Sequence, residues 1–324
     1  MDYEAVIGLE VHVQLLTETK LFCRCANRFG GTPNTRVCPI CLGYPGALPV
    51  VNRRAVELAT RLALACGCAV AERSSFARKS YFYPDLPKGY QISQNDAPLA
   101  RHGWLPLARH DRRIPIERMH LEEDAGKLLH HEATDGLGET WVDFNRCGTP
   151  LVEIVSAPEL SSPDEAHDFL ESLRQLVRYT GASDGNLEEG SLRCDANVSL
   201  RGRGSASTGT RVEIKNLNSF RFVARALEHE IERQGEILAR GGKVAAETRS
   251  FDTATGKTRA MRSKESSDEY RYFPEPDLGD LDMPRVRLET LRGELPELPW
   301  AVRRRFVDAL RLDPETARLL AESR

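Results

Sequence analysis

Residues 3–15 alternate with a period of two, and this alternation narrows the possible folds more than any other stretch of the chain. Tyr3, Ala5, Ile7, Leu9, Val11, Val13 and Leu15 share one face of a strand, while Glu10, His12 and Gln14 share the other. Such a strand needs a core on one side and polar surroundings on the other, as one-sided antiparallel sheets provide. The device recurs. In SLRCDANVSL, Leu192, Cys194, Ala196, Val198 and Leu200 oppose Arg193, Asp195, Asn197 and Ser199; in TRVEIKN, Val212 and Ile214 oppose Arg211, Glu213 and Lys215. Between about 76 and 160 the runs YFYPDLPKGYQ, RRIPIERMHLEEDAG, ETWVDFNR and TPLVEIVS read as strand and loop, so a mostly antiparallel sheet is expected.

Helices punctuate this pattern. Asn52 caps a helix expected over 53–65. Ser162-Pro163-Asp164-Glu165 supplies an N-cap, a first-turn proline and a capping-box glutamate ahead of Ala166, Phe169, Leu170, Leu173, Leu176 and Val177, with Gly181 as the stop. A long amphipathic helix fits 219–240 before Gly241-Gly242, and VAAETRSFD and KTRAMR form a hairpin about the turn at 255–256. Strands mixed with a few long helices, and no internal repeat, indicate an α+β fold.

Size and charge set the outer limits. A chain of 324 residues exceeds what one core usually serves, and 40% hydrophobic with 29% charged residues is the profile of a chain that folds. A net charge of -3 excludes a chain-wide basic surface for nucleic acid or anionic membrane, leaving local patches only. The N-terminus MDYEAVIGLEVHVQL has no secretory signal, and nowhere do 18 apolar residues run together, so a soluble, cytoplasmic protein without a membrane span is expected. After Asp277 the chain passes Pro284 and LPELP to a helical stretch from about Trp300. Residues 286–324 hold too few apolar positions for a core of their own and are expected to begin a larger helical domain after a first domain at 1–285.

Two constellations carry chemistry. Cys23-x-Cys25, twelve residues, then Cys38-Pro-Ile-Cys41 sets two close pairs in a loop at 22–42, a spacing that suits a closed tetrahedral Zn²⁺ site. Reduced thiols in a loop and an iron–sulfur cluster remain open alternatives. Cys66, Cys68, Cys147 and Cys194 read as buried small hydrophobes. The second constellation is acidic: Glu10 and His12 on one strand face, His120 and Glu122 on another, Glu123 and Asp124 following, with Glu153, Asp195 and Glu213 flanked by apolar residues. Carboxylates are the hard ligands Mg²⁺ takes beside substrate phosphates, and Lys79, Arg193 and Lys215 are interleaved with them. Strand patterning alone also allows a merely solvated face. No Walker loop, no G-x-G-x-x-G fingerprint and no G-x-S-x-G elbow occurs. His102, His110, His130, His131, His167 and His229 carry no ligand spacing and are assigned no role.

VIGLEVHVQL, YPGALPVVNRRAVELA, YFYPDLPKGYQISQ, MHLEEDAGK, VDFNRCGTPLVEI, EEGSLRCDANVSL, EIKNLNSF and YRYFPEPD occur in one order over about residues 4–300. This series closely resembles the B subunits of the tRNA-dependent amidotransferases that serve Glu-tRNA(Gln) and Asp-tRNA(Asn), and the cysteine quartet is similar to the zinc-binding variety of that family. The resemblance implies a glutamine-synthetase-like cradle of antiparallel sheet with flanking helices and an inserted zinc loop. It also implies ATP-dependent phosphorylation of the misacylated carboxylate, then amidation by ammonia. Carried over to this sequence, Glu10, His12, Glu122 and Glu123 would form the Mg²⁺ cluster, and Glu10, His12, Glu123 and Lys79 the catalytic set. Arg193, Asp195, Asn197, Glu213 and Lys215 would meet substrate or ATP. His12 is an unusual Mg²⁺ partner and would orient water or admit ammonia.

The partners implied are an amidase (glutaminase) subunit that hydrolyses glutamine, a small third subunit, misacylated tRNA(Gln) or tRNA(Asn), and the non-discriminating aminoacyl-tRNA synthetase. The family continues well past Arg324 into domains that grip tRNA, so weak tRNA binding is expected of this chain. Two rival readings are a free-standing carboxylate–ammonia ligase and a zinc-stabilised RNA-binding scaffold without catalysis; ammonia without tRNA would mark the first, and indifference to Mg-ATP the second.

Overall fold

The computed structural model describes residues 3–131, 138–205, 207–263 and 267–322. Strand β1 (Tyr3–Gln14) follows its alternation, with Ile7, Leu9, Val11 and Val13 at most 1% exposed. Helix α1 (Arg53–Ala65) begins where the Asn52 side chain accepts from the Arg54 and Ala55 amides. There follow β2 (Ala69–Val70), β3 (Arg73–Ser74), β4 (Ala77–Ser80), β5 (Tyr90–Ser93), β6 (Ala100–Pro106), β7 (Arg113–Glu123), β8 (Lys127–His131), β9 (Glu139–Asp143) and β10 (Pro150–Ser156). Helix α2 (Pro163–Tyr179) is capped by the Ser162 hydroxyl, which accepts from the Glu165 amide at 3.1 Å. The Glu165 carboxylate reaches one residue further back than a capping box requires, accepting from the Ser161 amide at 2.8 Å. The chain continues through β11 (Leu192–Gly202), β12 (Val212–Leu217), α3 (Phe220–Ala239), β13 (Glu247–Asp252), β14 (Lys257–Ser263), β15 (Phe273–Pro274) and β16 (Leu281–Asp282) to α4 (Arg285–Gly293), α5 (Pro299–Leu310) and α6 (Pro314–Leu320).

Nine strands form the main sheet in the order β14-β13-β12-β11-β1-β10-β7-β6-β2. All neighbours pair antiparallel except β12 and β13. The sheet is therefore mostly antiparallel, as the strand patterning predicts, with one parallel pair whose reason is α3: parallel neighbours need a crossover, and this helix supplies it between β12 and β13.

Helices α1, α2 and α3 close the apolar face. In α2, Phe169, Leu170, Leu173, Leu176 and Val177 are fully buried, each removal from water stabilising the fold by about 2 kcal/mol. The C-terminal helices dock onto this layer: Leu291 of α4 joins the main core, and Trp300 of α5 stacks at 5.5 Å on Trp104 of β6. The opposite face of β7, β10, β1 and β11 keeps its polar side chains, and smaller strands border it: β4 sits between β15 and β5 in a second sheet. No helix among the described residues is long and apolar enough to cross a membrane.

Candidate functional site

Register aligns the polar face into rows. His120 of β7 lies opposite Glu153 of β10, Glu153 opposite His12 of β1, and His12 opposite Arg193 of β11. One step along, Arg118, Val155, Glu10 and Asp195 make the next row. Directly paired residues of antiparallel strands share a face at close Cβ spacing, so four short stretches distant in sequence converge here.

The centre is a cluster of two imidazoles and two carboxylates. His12 Nδ1 lies 2.9 Å from Glu122 Oε1 and 4.0 Å from Glu153 Oε2; His120 Nε2 lies 3.1 Å from Glu153 Oε2 and 3.7 Å from Glu122 Oε2. The Ser93 hydroxyl of β5 donates to Glu122 Oε2 at 3.4 Å. Burial opposes charge on both histidines, yet the bonded Glu122 and the Glu153 carboxylate overcome it and lift each imidazole to about 9. Against the same burial, the two imidazoles hold Glu122 well below the usual carboxylate range and Glu153 at about 2.

His12, Glu122 and Glu153 each offer a ligand atom within 4.8 Å of the others, a spacing one cation can bridge. Two carboxylate oxygens suit Mg²⁺, whereas the imidazole is a donor softer metals prefer. His120 Nδ1 is buried without a partner among the described residues, so its ring is held from one side only.

Around this cluster the predicted residues divide. Glu10 stands in the neighbouring row, accepting from Asn197 Nδ2 at 2.9 Å, and burial together with Glu153, Glu213 and Asp195 pushes its carboxyl upward. Asp195 and Glu213 hold the Lys215 ammonium at 2.8 and 3.3 Å, and the Thr248 hydroxyl donates to Glu213 at 2.8 Å. Beside Lys215, Asn216 takes φ +64 where the β11–β12 register slips, a left-handed conformation that Asn tolerates at a bulge. Arg193 pairs with Asp124 at 2.8 Å, with Arg146 at 3.5 Å on the same oxygen.

Lys79 of β4 points its ammonium at the Tyr270 ring, 4.6 Å from the centroid, and at Tyr81 at 6.0 Å. Burial raises the Tyr81 and Tyr272 phenols, and the Glu122 charge adds to both. Lys79 therefore belongs to an aromatic wall beside the cluster rather than to the row of acids.

Glu123 departs from expectation. Consecutive residues of a strand face opposite ways, so Glu122 and Glu123 do not share one cluster. The Glu123 carboxylate meets the Lys88 ammonium and accepts from the Ile92 amide at 3.0 Å, in a cavity that Cys23, Cys41 and Gly148 also line. Glu153 and His120 carry the alternation signal in sequence and take the places beside Glu122 that Glu123 was expected to share. Lys88, Ser93 and Arg118 had no readable signal, since only the packing of β5 against β7 and the pairing of β7 with β6 and β10 bring them in.

The four-cysteine loop assembles as its spacing predicts: the sulfurs of Cys23, Cys25, Cys38 and Cys41 lie within 4.8 Å of one another, with Cys38 and Cys41 at 3.9 Å. Zn–S bonds of about 2.3 Å in a tetrahedron set sulfurs roughly 3.8 Å apart, so the quartet fits that metal. Lys20, fully buried, donates to the Arg36 carbonyl at 2.8 Å and lies 3.7 Å from Cys41 Sγ, a cation set against the thiolates. Cys66, Cys68 and Cys194 are buried elsewhere, whereas the buried Cys147 thiol lies against the loop and donates to the Cys41 carbonyl at 3.3 Å. The side chains of His130 and His131 lie outside the described residues.

Residues 5–289 match the family model described as the GatB/GatE catalytic domain. The B subunit of the aspartyl/glutamyl-tRNA(Asn/Gln) amidotransferase of Geobacter sp. strain M21 is 57% identical over 326 residues, covering 100% of this chain and 68% of the relative. The protein of the same description from Syntrophotalea carbinolica is 56% identical over 99% of this chain and 67% of its own length, and that from Persephonella marina 53% over the same shares.

Proposed function

This chain belongs to the GatB/GatE catalytic domain family, and on that premise we propose that it activates a carboxylate carried by tRNA. An oxygen of the glutamate or aspartate side chain, misacylated on tRNA(Gln) or tRNA(Asn), attacks the γ-phosphorus of ATP; the bond to the bridging oxygen breaks and ADP leaves with its electron pair. Ammonia then adds to the acyl phosphate carbon, loses a proton to the departing phosphate, and leaves the side-chain amide. A carboxylate cannot expel oxide, so phosphorylation exists to supply a leaving group.

The observation that carries this reading is the cluster of His12, Glu122 and Glu153, with fixed cations on either side. Bound there by Glu122, Glu153 and His12, Mg²⁺ would neutralise the charge on the transferring phosphoryl group. Arg193 and Lys215, each tethered by an aspartate, are positioned to meet phosphate oxygens without reorganising. Asp195 and Glu213 hold Lys215, Asp124 holds Arg193, and Asn197 donates to Glu10 beside them. Glu123, paired with Lys88 behind the strand, would act from the side of the cysteine loop, whose Zn²⁺ would be structural because four thiolates leave no open position. Ammonia would come from a separate glutaminase partner, with a small third protein joining the two. Residues 1–285 would act as the cradle domain, with 286–324 opening a helical one.

The test is phosphate release from ATP by the chain joined to its amidase and small partners, with and without Glu-tRNA(Gln) or Asp-tRNA(Asn). Release should depend on misacylated tRNA and fall by about a hundredfold or more in Glu122→Gln. Release in the absence of tRNA, undiminished in the variant, would point to an ATPase unrelated to this cluster.

A further inference from the structure

We infer that the buried Lys20 ammonium is the counter-ion of the four-cysteine metal site: it stays charged in the interior because metal-bound thiolates face it, and they bind metal more tightly because it is there. The inference rests on the reading that Cys23, Cys25, Cys38 and Cys41 hold Zn²⁺, and it gives a role to a residue outside the quartet.

Lys20 exposes nothing to water. An ammonium in such a place has lost its hydration, so it needs an anion beside it or gives up its proton. No described carboxylate makes an ion pair with it. Its partners are the Arg36 carbonyl at 2.8 Å, the Phe144 carbonyl at 3.4 Å and Cys41 Sγ at 3.7 Å. Carbonyls satisfy hydrogen bonds without carrying net charge, which leaves the sulfur as the one partner able to balance the cation. The other ammonium near these sulfurs, Lys88, lines a cavity with Cys23 and Cys41 but is already neutralised by Glu123. From the side of the metal the need is reciprocal. Four thiolates around a dication leave negative charge in excess, and a buried cation offsets it without opening the site to water.

The backbone fixes this meeting from three segments. The Lys20 amide donates to the Cys25 carbonyl at 3.0 Å, which builds Lys20 into the turn that carries Cys23 and Cys25. The Cys38 amide donates to Cys41 Sγ at 3.2 Å, so Cys41 takes a second donor from its own loop, and both donors favour the thiolate over the thiol. On the third side Gly148 takes φ +83, a conformation that suits glycine, and a Cβ there would stand 3.5 Å from both Lys20 Cδ and Cys41 Cβ. The turn before β10 thus lies directly over the pair and keeps solvent from it.

The test uses the full chain in excess Mg²⁺, so that the carboxylate cluster does not compete, and loads the cysteines with Zn²⁺ or Co²⁺. Zn²⁺ affinity is measured by competition with a coloured chelator. Lys20→Met keeps the length of the side chain, removes its charge, and should weaken Zn²⁺ binding about ten- to a hundredfold. By linkage it should lower the urea midpoint of the zinc-loaded chain more than that of the metal-free chain, because only the loaded state sets anions against Lys20. With Co²⁺, the sulfur-to-metal charge-transfer band should move to longer wavelength in the variant, since the ammonium no longer lowers the energy of the sulfur electrons. Where Lys20→Met does not fold, Lys20→Gln, which still donates to a carbonyl but lacks the charge, should produce the same changes. Variants that bind Zn²⁺ as tightly as the wild type, with the band unmoved and both midpoints falling equally, would make Lys20 a tether for two carbonyls and overturn the inference, leaving the metal reading intact. A wild-type chain that shows no sulfur-to-cobalt band, and whose four thiols react as fast with Zn²⁺ as without it, would remove the metal reading and the inference with it.

Discussion

His12 and His120 set the behaviour of the site at the scale of single residues. In the chain free of metal both imidazoles titrate near 9, above their ordinary 6.5, because Glu122 and Glu153 share their protons. The folded state therefore binds protons more tightly than the unfolded one. Their stabilisation is present in full below pH 6.5 and is lost as the pH climbs through 9. The urea midpoint of the metal-free chain should fall across that window, and a His120→Gln variant should flatten the fall; a wild-type midpoint constant through the window would show neutral imidazoles. A divalent cation at His12, Glu122 and Glu153 competes with those protons, so saturating Mg²⁺ should also reduce the slope. Much of this was legible in single residues. Strand alternation pointed Glu10, His12, His120 and Glu122 outward, but alternation alone cannot report which outward residues meet, and so Glu123 was expected beside Glu122 where the pleat separates them.

At the scale of elements, caps and metal ligands were legible because their physics is local. Asn52 and Ser162 cap the helices expected of them, Ser219 proves to cap the helix expected over 219–240, and the cysteine spacing delivers its quartet. Elements defined by distant pairing were not: β15 and β16 are two residues each and exist only because β4 and β3 lie beside them. Asn52 does more than cap. Its amide also donates to the Thr19 carbonyl and hydroxyl at 3.1 and 3.0 Å, tying α1 to the segment after β1. Asn52→Ala should therefore destabilise by about 2 kcal/mol in denaturant unfolding, the upper end of the range for a lost cap, while Ser219→Ala should cost about 1 kcal/mol. Equal losses would mean that the Thr19 bonds add nothing. The cysteine loop gives a second prediction. It is stitched to the β8–β9 region by Asn34 and Asn145 side chains, so removing its metal should loosen it without opening the core. A strong chelator should expose Cys23, Cys25, Cys38 and Cys41 to a thiol reagent, with Cys147, bonded to the Cys41 carbonyl, following them, and leave the buried Cys66, Cys68 and Cys194 protected. Reaction of all eight at one rate would show instead that the loop and the core unfold together.

Across the whole molecule the question is how far the fold acts as one body. Residues 286–324 stand apart in sequence because their apolar positions are too few for a core of their own, and that count does not say where they dock. Helix α4 contributes Leu291, 1% exposed, to the main core beside α1, and Trp300 leans on Trp104. Further on, the attachment thins. Val302 and Ala321 make a small separate cluster with Tyr179 of α2, joined by Phe306 and by a 2.7 Å bond from the Tyr179 hydroxyl to the Ala321 carbonyl. Regions with few buried apolar contacts open at lower free energy than the core. Amide hydrogens of α5 and α6 should therefore exchange well before those of β1, β10 and β11, with α4 tracking the sheet more closely than α5 does. Tyr179→Phe removes only the hydroxyl bond and should speed exchange in α6 several-fold, a loss of about 1 kcal/mol, while leaving β1 unchanged. Protection as high in α6 as in β1 would mean that the three helices and the sheet open as a single unit, and the boundary at 285 would then mark a change of composition and not of folding.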